Sequence, residues 1–317
     1  MSRIIALTGA TGFIGSVILK RLAAEGWQIR ALIRAKAVPA GLTKLNIQWI
    51  QGSLDASTGL RRLVQGVDHV IHCAGAVRGV LPTDFDRVNA DGVGRLAEAA
   101  SEQQPVPQFL LISSLAAREP HLSAYAASKR KGEDALTHVS GKLRWVAVRP
   151  PAVYGPGDRE ILPLLRWMRR GIAPVISSRN ARFSLIYVED LAEAVENVLI
   201  HPIQSGSIFE LHDGHPNGYG WQDVIETVER LNHRPVVRIS IPVILLRCLA
   251  GLNVAAARTA GYAPMLTPGK IQELRHLDWT CDNEALRRAT GWQPRIGLEE
   301  GLRRTLAAAD IQRVRHI

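Results

Sequence analysis

The segment Ala6–Ser16 reads ALTGATGFIGS, and in it Gly9, Gly12 and Gly15 recur at every third residue. It stands where an apolar run, Ile4–Leu7, gives way to a helical pattern, Phe13–Glu25. Glycine is a poor helix former, so three of them at the mouth of a helix need a reason. A tight strand-to-helix turn is one. The other is that glycine lets backbone come close to a phosphate at a helix N-terminus, where free N–H groups and the dipole favour an anion. The rest of the chain decides between them.

Outward from this turn the first half keeps a regular beat. Short β-branched runs occur at Arg3–Leu7, Gln28–Ile33, Ile47–Gln51, His69–His72, Phe109–Ile112 and Leu143–Val148. Helical stretches lie between most of them, at Phe13–Glu25, Ser57–Gln65, Phe85–Glu102 and Tyr125–Val139. Strands alternating with helices predict a parallel sheet covered on both faces, and strands apolar throughout agree with that. The fold expected is an α/β, doubly wound parallel sheet (Rossmann) with its ligand beyond the carboxyl ends of the strands. After Arg149 the beat changes. RPPAVYGPGDRE reads as a loop leading into a helix near Glu160, a strand and helix return at Phe183–Ile200, and the remainder has no parallel-sheet rhythm. The expected division is a dinucleotide-binding domain over 1–160, rejoined by 176–200, and a smaller C-terminal substrate lobe from 161–175 and 201–317.

Composition narrows the class. The chain has 317 residues, 46% hydrophobic and 21% charged, ample for a sizeable core. Cys73, Cys248 and Cys281 stand far apart with no CxxC, which suggests neither a disulfide framework nor a zinc site and fits a cytoplasmic protein. The formal net charge of +10 favours an anionic partner, but the basic residues are scattered and aromatics make up only 5%, so no nucleic-acid-binding stripe is present. The apolar stretch Ile241–Ala257 falls short of about 20 residues and carries Arg247, so it is expected to line a pocket or rest on a membrane surface and not to span a bilayer.

The chemistry is carried by YAASK, in which Tyr125 and Lys129 share one helix face at i,i+4 spacing. The helix follows the strand Phe109–Ser114, FLLISS, which ends in two hydroxyls. A phenol with a pKa near 10 is a poor base at neutral pH, and a neighbouring ammonium lowers that value. Ser114 can hold a substrate oxygen while Tyr125 gives or takes its proton, and Lys129 can also hold a nicotinamide ribose.

In order along the chain, TGATGFIG, HVIHCAG, VNADGVGRLAEAA, LLISS, YAASK and RPPAVYGPG resemble the extended branch of the short-chain dehydrogenase/reductase superfamily. That branch includes NAD-dependent epimerases and dehydratases, dihydroflavonol-type reductases and 3β-hydroxysteroid dehydrogenase-like proteins. The resemblance extends to FSLIYVEDLAEAV and ATGWQPRIGLEEGLRRTL near the C-terminus. It implies that Gly9, Thr11, Gly12, Phe13, Ile14 and Gly15 form the pyrophosphate-binding turn. It makes Ser114, Tyr125 and Lys129 the catalytic set, with Ser114 preferred to Ser113 as the second hydroxyl of the strand-end pair. Asn89 matches a supporting asparagine, Ala74 and Gly75 a turn along the cofactor, and Pro150, Ala152 and Val153 a segment flanking the nicotinamide. One departure stands in the third-strand segment, where the family has GDL and this chain has Gly52, Ser53 and Leu54, leaving adenine recognition there in doubt.

The second strand ends in Arg34, with Lys36 close behind and no acid between Gly26 and Asp55. An acid there would bind the ribose hydroxyls of NAD, whereas a guanidinium suits a 2′-phosphate, so the sequence predicts NADP, with NAD as the other possibility. The expected function is an NADP-dependent oxidoreductase that moves a hydride between NADPH and a ketone or alcohol of a fairly apolar, lipid- or sterol-like molecule. The alternatives are a sugar-nucleotide epimerase or dehydratase holding NAD tightly, and a non-catalytic accessory subunit. Among weaker features, His212–Gly220 reads as a loop without a metal, and Arg182 matches a residue near the substrate phosphate of sugar-nucleotide relatives. A homodimer through Phe85–Glu102 and Tyr125–Val139 is expected from the small residues Ala97, Ala99, Ala100, Ala126 and Ala127.

Overall fold

The computed structural model describes residues 3–35, 37–139, 141–176 and 178–314. Lys36, one of the residues read above as favouring a 2′-phosphate, lies outside them.

The first half contains strands β1 (Ile4–Thr8), β2 (Gln28–Ile33), β3 (Ile47–Gln51), β4 (His69–His72), β5 (Gln108–Ile112), β6 (Trp145–Arg149) and β7 (Ala152–Tyr154). Helices α1 (Phe13–Ala24), α2 (Ser57–Val64), α3 (Pro82–Asn89), α4 (Asp91–Ser101) and α5 (Ala124–His138) alternate with them. The second half adds α6 (Leu162–Arg169), β8 (Ile172–Val175), β9 (Arg182–Phe183), β10 (Leu185–Tyr187), α7 (Val188–Ile200), β11 (Ser207–Glu210) and α8 (Trp221–Asn232). It closes with β12 (Val237–Ser240), α9 (Val243–Ala260), α10 (Pro268–Arg275), β13 (Asp278–Trp279), α11 (Glu284–Thr290) and α12 (Leu298–Val314).

Seven strands form one sheet in the order β11-β6-β5-β4-β1-β2-β3, parallel at every pairing. This is the doubly wound Rossmann arrangement, with a smaller C-terminal lobe. The period-two alternation of strand side chains explains the two cores. Ile5, Leu7, Ile71, Leu110 and Val148 face one side, where Ile18, Leu19 and Leu22 of α1 meet Leu191, Val195 and Val198 of α7. Ala6, Val70, Phe109, Leu111 and Ala147 face the other, under Leu60 and Leu63 of α2, Val93 and Leu96 of α4 and Leu136 of α5. The lobe has its own core, in which Leu165 and Met168 of α6 meet Val224 and Val228 of α8 and Leu302 and Leu306 of α12.

Three details differ from the sequence expectation. The sheet gains β11, which lies in a stretch assigned to the lobe and pairs with β6. The helix expected over Phe85–Glu102 is two, broken at Ala90 (φ −117°, ψ −66°), where α3 ends and α4 starts. The alanines proposed as a dimer surface are mostly used inside the protomer: Ala97, Ala99, Ala100 and Ala126 are all buried in the single chain. They support packing of α4 and α5 on the sheet and carry no argument for a second copy.

Candidate active site

The glycine turn is shaped as a cradle. Gly9 has φ +75°, and a Cβ there would stand 2.6 Å from the backbone of Cys73 and Ala74. A Cβ on Gly15 would run into the carbonyl oxygen of Gly9, so α1 packs directly on the turn. Gly12 N–H donates to Gly9 O at 2.9 Å, and Gly12, as the N-cap of α1, has no side chain with which to cap the first turn. The leading N–H groups of α1 are therefore presented at the carboxyl edge of the sheet, where an anion is favoured. This backbone fits the diphosphate of a dinucleotide. Thr11 is exposed, and Phe13 and Ile14 are half-buried at the start of α1.

Next to the cradle, β4 ends in the turn Cys73–Gly75. Thr8 Oγ1 accepts from Ala74 N–H at 3.3 Å and sits 2.9 Å from His72 Nδ1. Asn89, at the end of α3, accepts from Ala76 N–H through Oδ1 (2.8 Å). Its Nδ2 donates to Ala76 O and to Ser128 Oγ, each at 2.9 Å. Asn89 is thus a buried clamp between the turn after β4 and α5. A Cβ on Gly75 would touch Asn89 Oδ1 and Lys129 Nζ, at 3.4 and 3.7 Å, which places the turn against the lysine.

The two hydroxyls after β5 have different employment. Ser113 is buried and donates to Glu133 Oε1 at 2.5 Å. Glu133 is also gripped by Arg149, through Nε at 2.9 Å and Nη2 at 2.6 Å. Ser114 is half-buried, accepts from Ala116 N–H at 3.2 Å, and lies close enough to the Tyr125 phenol to lower its pKa. Leu115 N–H donates to Pro150 O at 2.9 Å, tying this loop to the segment after β6 that contains Pro150, Ala152 and Val153.

Ser123 caps α5 and so fixes Tyr125 in its first turn. The ring packs edge-on to Phe85, with centroids 6.3 Å apart. Burial pushes the phenol up to about 12; the Ser114 hydroxyl pulls the other way and the Glu273 carboxylate adds to the rise. Lys129 is buried and donates to Ile112 O at 2.9 Å. Burial brings its ammonium down to about 8, against the opposing influence of Cys73 and Glu133. The expected depression of the Tyr125 pKa by Lys129 is therefore not present in this arrangement: the ammonium is held on a backbone carbonyl and desolvation of the phenol dominates.

At the other end of the cradle, Ser53 Oγ accepts from Asp55 N–H at 3.3 Å, and Leu54 O accepts from Arg95 Nε at 2.7 Å. Asp55 is paired with Arg87 and Arg95 at 2.6 and 3.2 Å. Arg34 is exposed and close enough to add to the arginine field that lowers the Asp55 pKa. Sequence reasoning singled out neither the Asp55–Arg87–Arg95 cluster nor Glu133 and Arg149. In each group the partners come from separate elements, and no local spacing marks them. Of the weaker features, Arg182 forms a 2.9 Å ion pair with Asp223. Among the described residues no three His, Cys, Asp or Glu side chains are grouped to hold a metal.

A glycine cradle on a parallel sheet, beside a Ser–Tyr–Lys constellation, defines a nicotinamide-dinucleotide-dependent enzyme class. The chain belongs to the NAD dependent epimerase/dehydratase family, whose profile matches residues 5–211. It is 36% identical to the ceramide reductase of Caulobacter vibrioides, over 96% of this chain and 93% of that protein. It is 24% identical to the UDP-glucose 4-epimerase of Vibrio cholerae, over 97% and 96% of the two chains. Among solved structures, MoeE5 in complex with UDP-glucuronic acid and NAD shares the fold, with a TM-score of 0.74 at 19% identity, over 98% of this chain and all of that one.

These comparisons correct the sequence reading on cofactor and substrate. The compared structures of this fold that hold a dinucleotide hold NAD, several together with a UDP-sugar, and the Vibrio cholerae relative acts on UDP-glucose. Those structures and the Vibrio cholerae relative favour the alternative, a sugar-nucleotide enzyme, over an NADP-dependent oxidoreductase of lipids or sterols; the ceramide reductase relative does not. The physical reason lies in Arg34. An exposed guanidinium within the field of Asp55 does not by itself define a 2′-phosphate site, and the absence of an acid beside it is not a positive signal.

Proposed function

We propose that this chain is an NAD-dependent enzyme that oxidises and reduces a carbinol carbon of a sugar nucleotide, in the manner of an epimerase or dehydratase. The observation that carries the reading is the placement of Ser114, Tyr125 and Lys129 at the carboxyl edge of the sheet, beside the Gly9–Gly15 cradle, in a chain of this family. The leading N–H groups of α1 would hold the diphosphate of NAD, and Lys129 and the Ala74–Gly75 turn would border its nicotinamide ribose. Bound there, the cofactor supplies the ring carbon that accepts and returns a hydride.

The chain's own residues handle the proton. Ser114 holds the substrate oxygen, and Tyr125 Oη exchanges a proton with it: it takes the hydroxyl proton as the carbinol C–H bond is lost, and returns a proton as the carbonyl is reduced. With its pKa raised to about 12, Tyr125 rests as a phenol, so it must first release that proton to solvent before it takes the substrate's, and the phenol so re-formed protonates the carbonyl oxygen in the second step. Arg182 is the candidate contact for a substrate phosphate, which would draw it from Asp223.

The test is to incubate the purified protein with UDP-glucose, UDP-glucuronic acid and dTDP-glucose and follow the products by NMR, while assaying NAD released on denaturation. Conversion of one sugar nucleotide, with NAD recovered, is the expected result. Because of the 36% identity to a ceramide reductase, a 3-keto ceramide belongs in the same panel. Turnover of that compound alone would overturn the sugar-nucleotide reading.

A further inference from the structure

Helix α9 is long, apolar and mostly exposed. It has 18 residues, of which 17% are buried. At about 100° per residue its side chains fall into three sectors. Leu246, Ala250 and Ala257 form the inner one, where Leu246 and Ala250 pack against Ile271 of α10. Ile244, Leu245, Leu249 and Leu252 span a second sector, a stripe roughly 140° wide, which the exposed Cys248, Ala255, Ala256 and Thr259 fill. Ile244 is 78% exposed and Leu252 68%. Arg247 and Arg258 border the stripe on its other side.

This exposure is concentrated. Of the fifteen large hydrophobic side chains that are exposed among the described residues, nine lie between Val237 and Leu277. The surrounding charge has one sign. From His233 to Leu277 the chain has five arginines, one lysine and a single acid, Glu273. Glu273 is buried and bonded to Lys270 and Ser123, and among the described residues none of the five arginines (Arg234, Arg238, Arg247, Arg258 and Arg275) has an ion pair.

We propose that this face of α9, with β12 leading into it, docks the protein on an anionic lipid surface. A helix with an apolar stripe and a basic border lies in the headgroup plane, its apolar side chains in the acyl boundary and its arginines among the phosphates. It does not cross the bilayer, because its inner sector is occupied by α10 and its length of about 27 Å falls short of a hydrocarbon core of about 30 Å. A second copy of the chain is the poorer occupant, since a two-fold contact on this face would bring Arg247 and Arg258 against their own copies, and the exposed acid at its border, Asp278, is engaged by Thr280. Docking would also orient the active site. Helix α10, on which α9 packs, places Lys270 Nζ 5.9 Å from the Tyr125 ring, and its Glu273 is bonded to Ser123, the cap of α5.

The test is sedimentation of the full chain with vesicles of phosphatidylcholine alone and of phosphatidylcholine with about a third phosphatidylglycerol. Binding to the anionic vesicles only, released by salt, is expected. Ile244→Glu with Leu252→Glu should weaken it at least tenfold. Arg247→Gln with Arg258→Gln should weaken it about fivefold per arginine, the worth of one basic residue near such a surface. Unchanged thermal unfolding and NADH binding would show that both variants are folded. Failure of the parent protein to sediment with either vesicle would overturn the proposal. So would undiminished binding by the variants, or self-association in solution that Leu252→Glu disperses.

Discussion

Tyr125 and Lys129 are the residues on which the chemistry turns, and both are perturbed by desolvation more than by one another. If Tyr125 exchanges the proton, Tyr125→Phe keeps the ring against Phe85 and leaves NAD binding nearly intact, while turnover falls by about 10²–10⁴-fold, the usual worth of a positioned acid or base. Steady-state kinetics beside NADH titration checks this; full activity in the variant would remove the mechanism. Lys129 makes a separate, pH-dependent prediction. Its folded pKa is about 8 against an ordinary 10.5, so between those values the folded chain binds fewer protons than the unfolded chain, and stability rises with pH. Lys129→Met lacks this contribution. Urea unfolding of the cofactor-free proteins should therefore show the wild type gaining on Lys129→Met by roughly 2 kcal/mol from about pH 7.5 to about pH 9.5. A difference that does not change with pH would mean that the ammonium is not desolvated as described.

At the scale of the elements, the site depends on how closely strand, turn and helix approach one another. Gly15→Ala puts a methyl group into the carbonyl of Gly9, so the turn must open or α1 must shift. The expected outcome is a loss of about 1–3 kcal/mol in stability, the cost of overpacking, and at least tenfold weaker NAD binding. Chemical denaturation and calorimetric titration measure the two. Beneath the site, Glu133 joins Ser113, Arg149 and α5 in one buried cluster. Glu133→Ala leaves Arg149 with only the longer, 3.6 Å contact to Glu210 and should cost about 3–5 kcal/mol, read from a urea midpoint.

The sequence made some of these elements visible and hid others for physical reasons. Strands β1 to β6 could be read because a sheet covered on both faces requires apolar residues at successive positions. Strand β11, SIFE, is an edge strand with polar ends, and no such run marks it. The break between α3 and α4 has no proline to announce it and coincides with the tertiary bonds of Asn89. Gly9–Gly15, Tyr125 and Lys129 could be read because their chemistry fixes a local spacing. Glu133 and Arg149 could not, since a buried pair from a helix and a strand leaves no periodic signature.

On the scale of the whole molecule, the cofactor choice is where single-residue reasoning failed, and it is also where the folded protein can be asked directly. Arg34 is read in the sequence from its neighbours along the strand, yet its potential belongs to a surface shared with Asp55, Arg87 and Arg95, and among the described residues its exposed guanidinium forms no ion pair. The Gly9–Gly15 cradle suits the diphosphate common to both dinucleotides, so discrimination between them falls to the rim around Arg34 and Asp55. A ligand that binds only the folded state stabilises it by mass action, about 2.7 kcal/mol when present at a hundred times its dissociation constant. At about 2.1 cal/mol/K of unfolding entropy per residue, a chain of 317 residues moves its midpoint by about 1.5 °C per kcal/mol, so NAD at that excess should raise Tm by roughly 4 °C. The same concentration of NADP should raise it by clearly less. Gly15→Ala, with binding weakened at least tenfold, should keep at most about half of the NAD shift, which would tie the effect to the turn and not to general binding of anions by a basic protein. A larger shift with NADP than with NAD would restore Arg34 as a specificity residue and overturn the assignment of NAD.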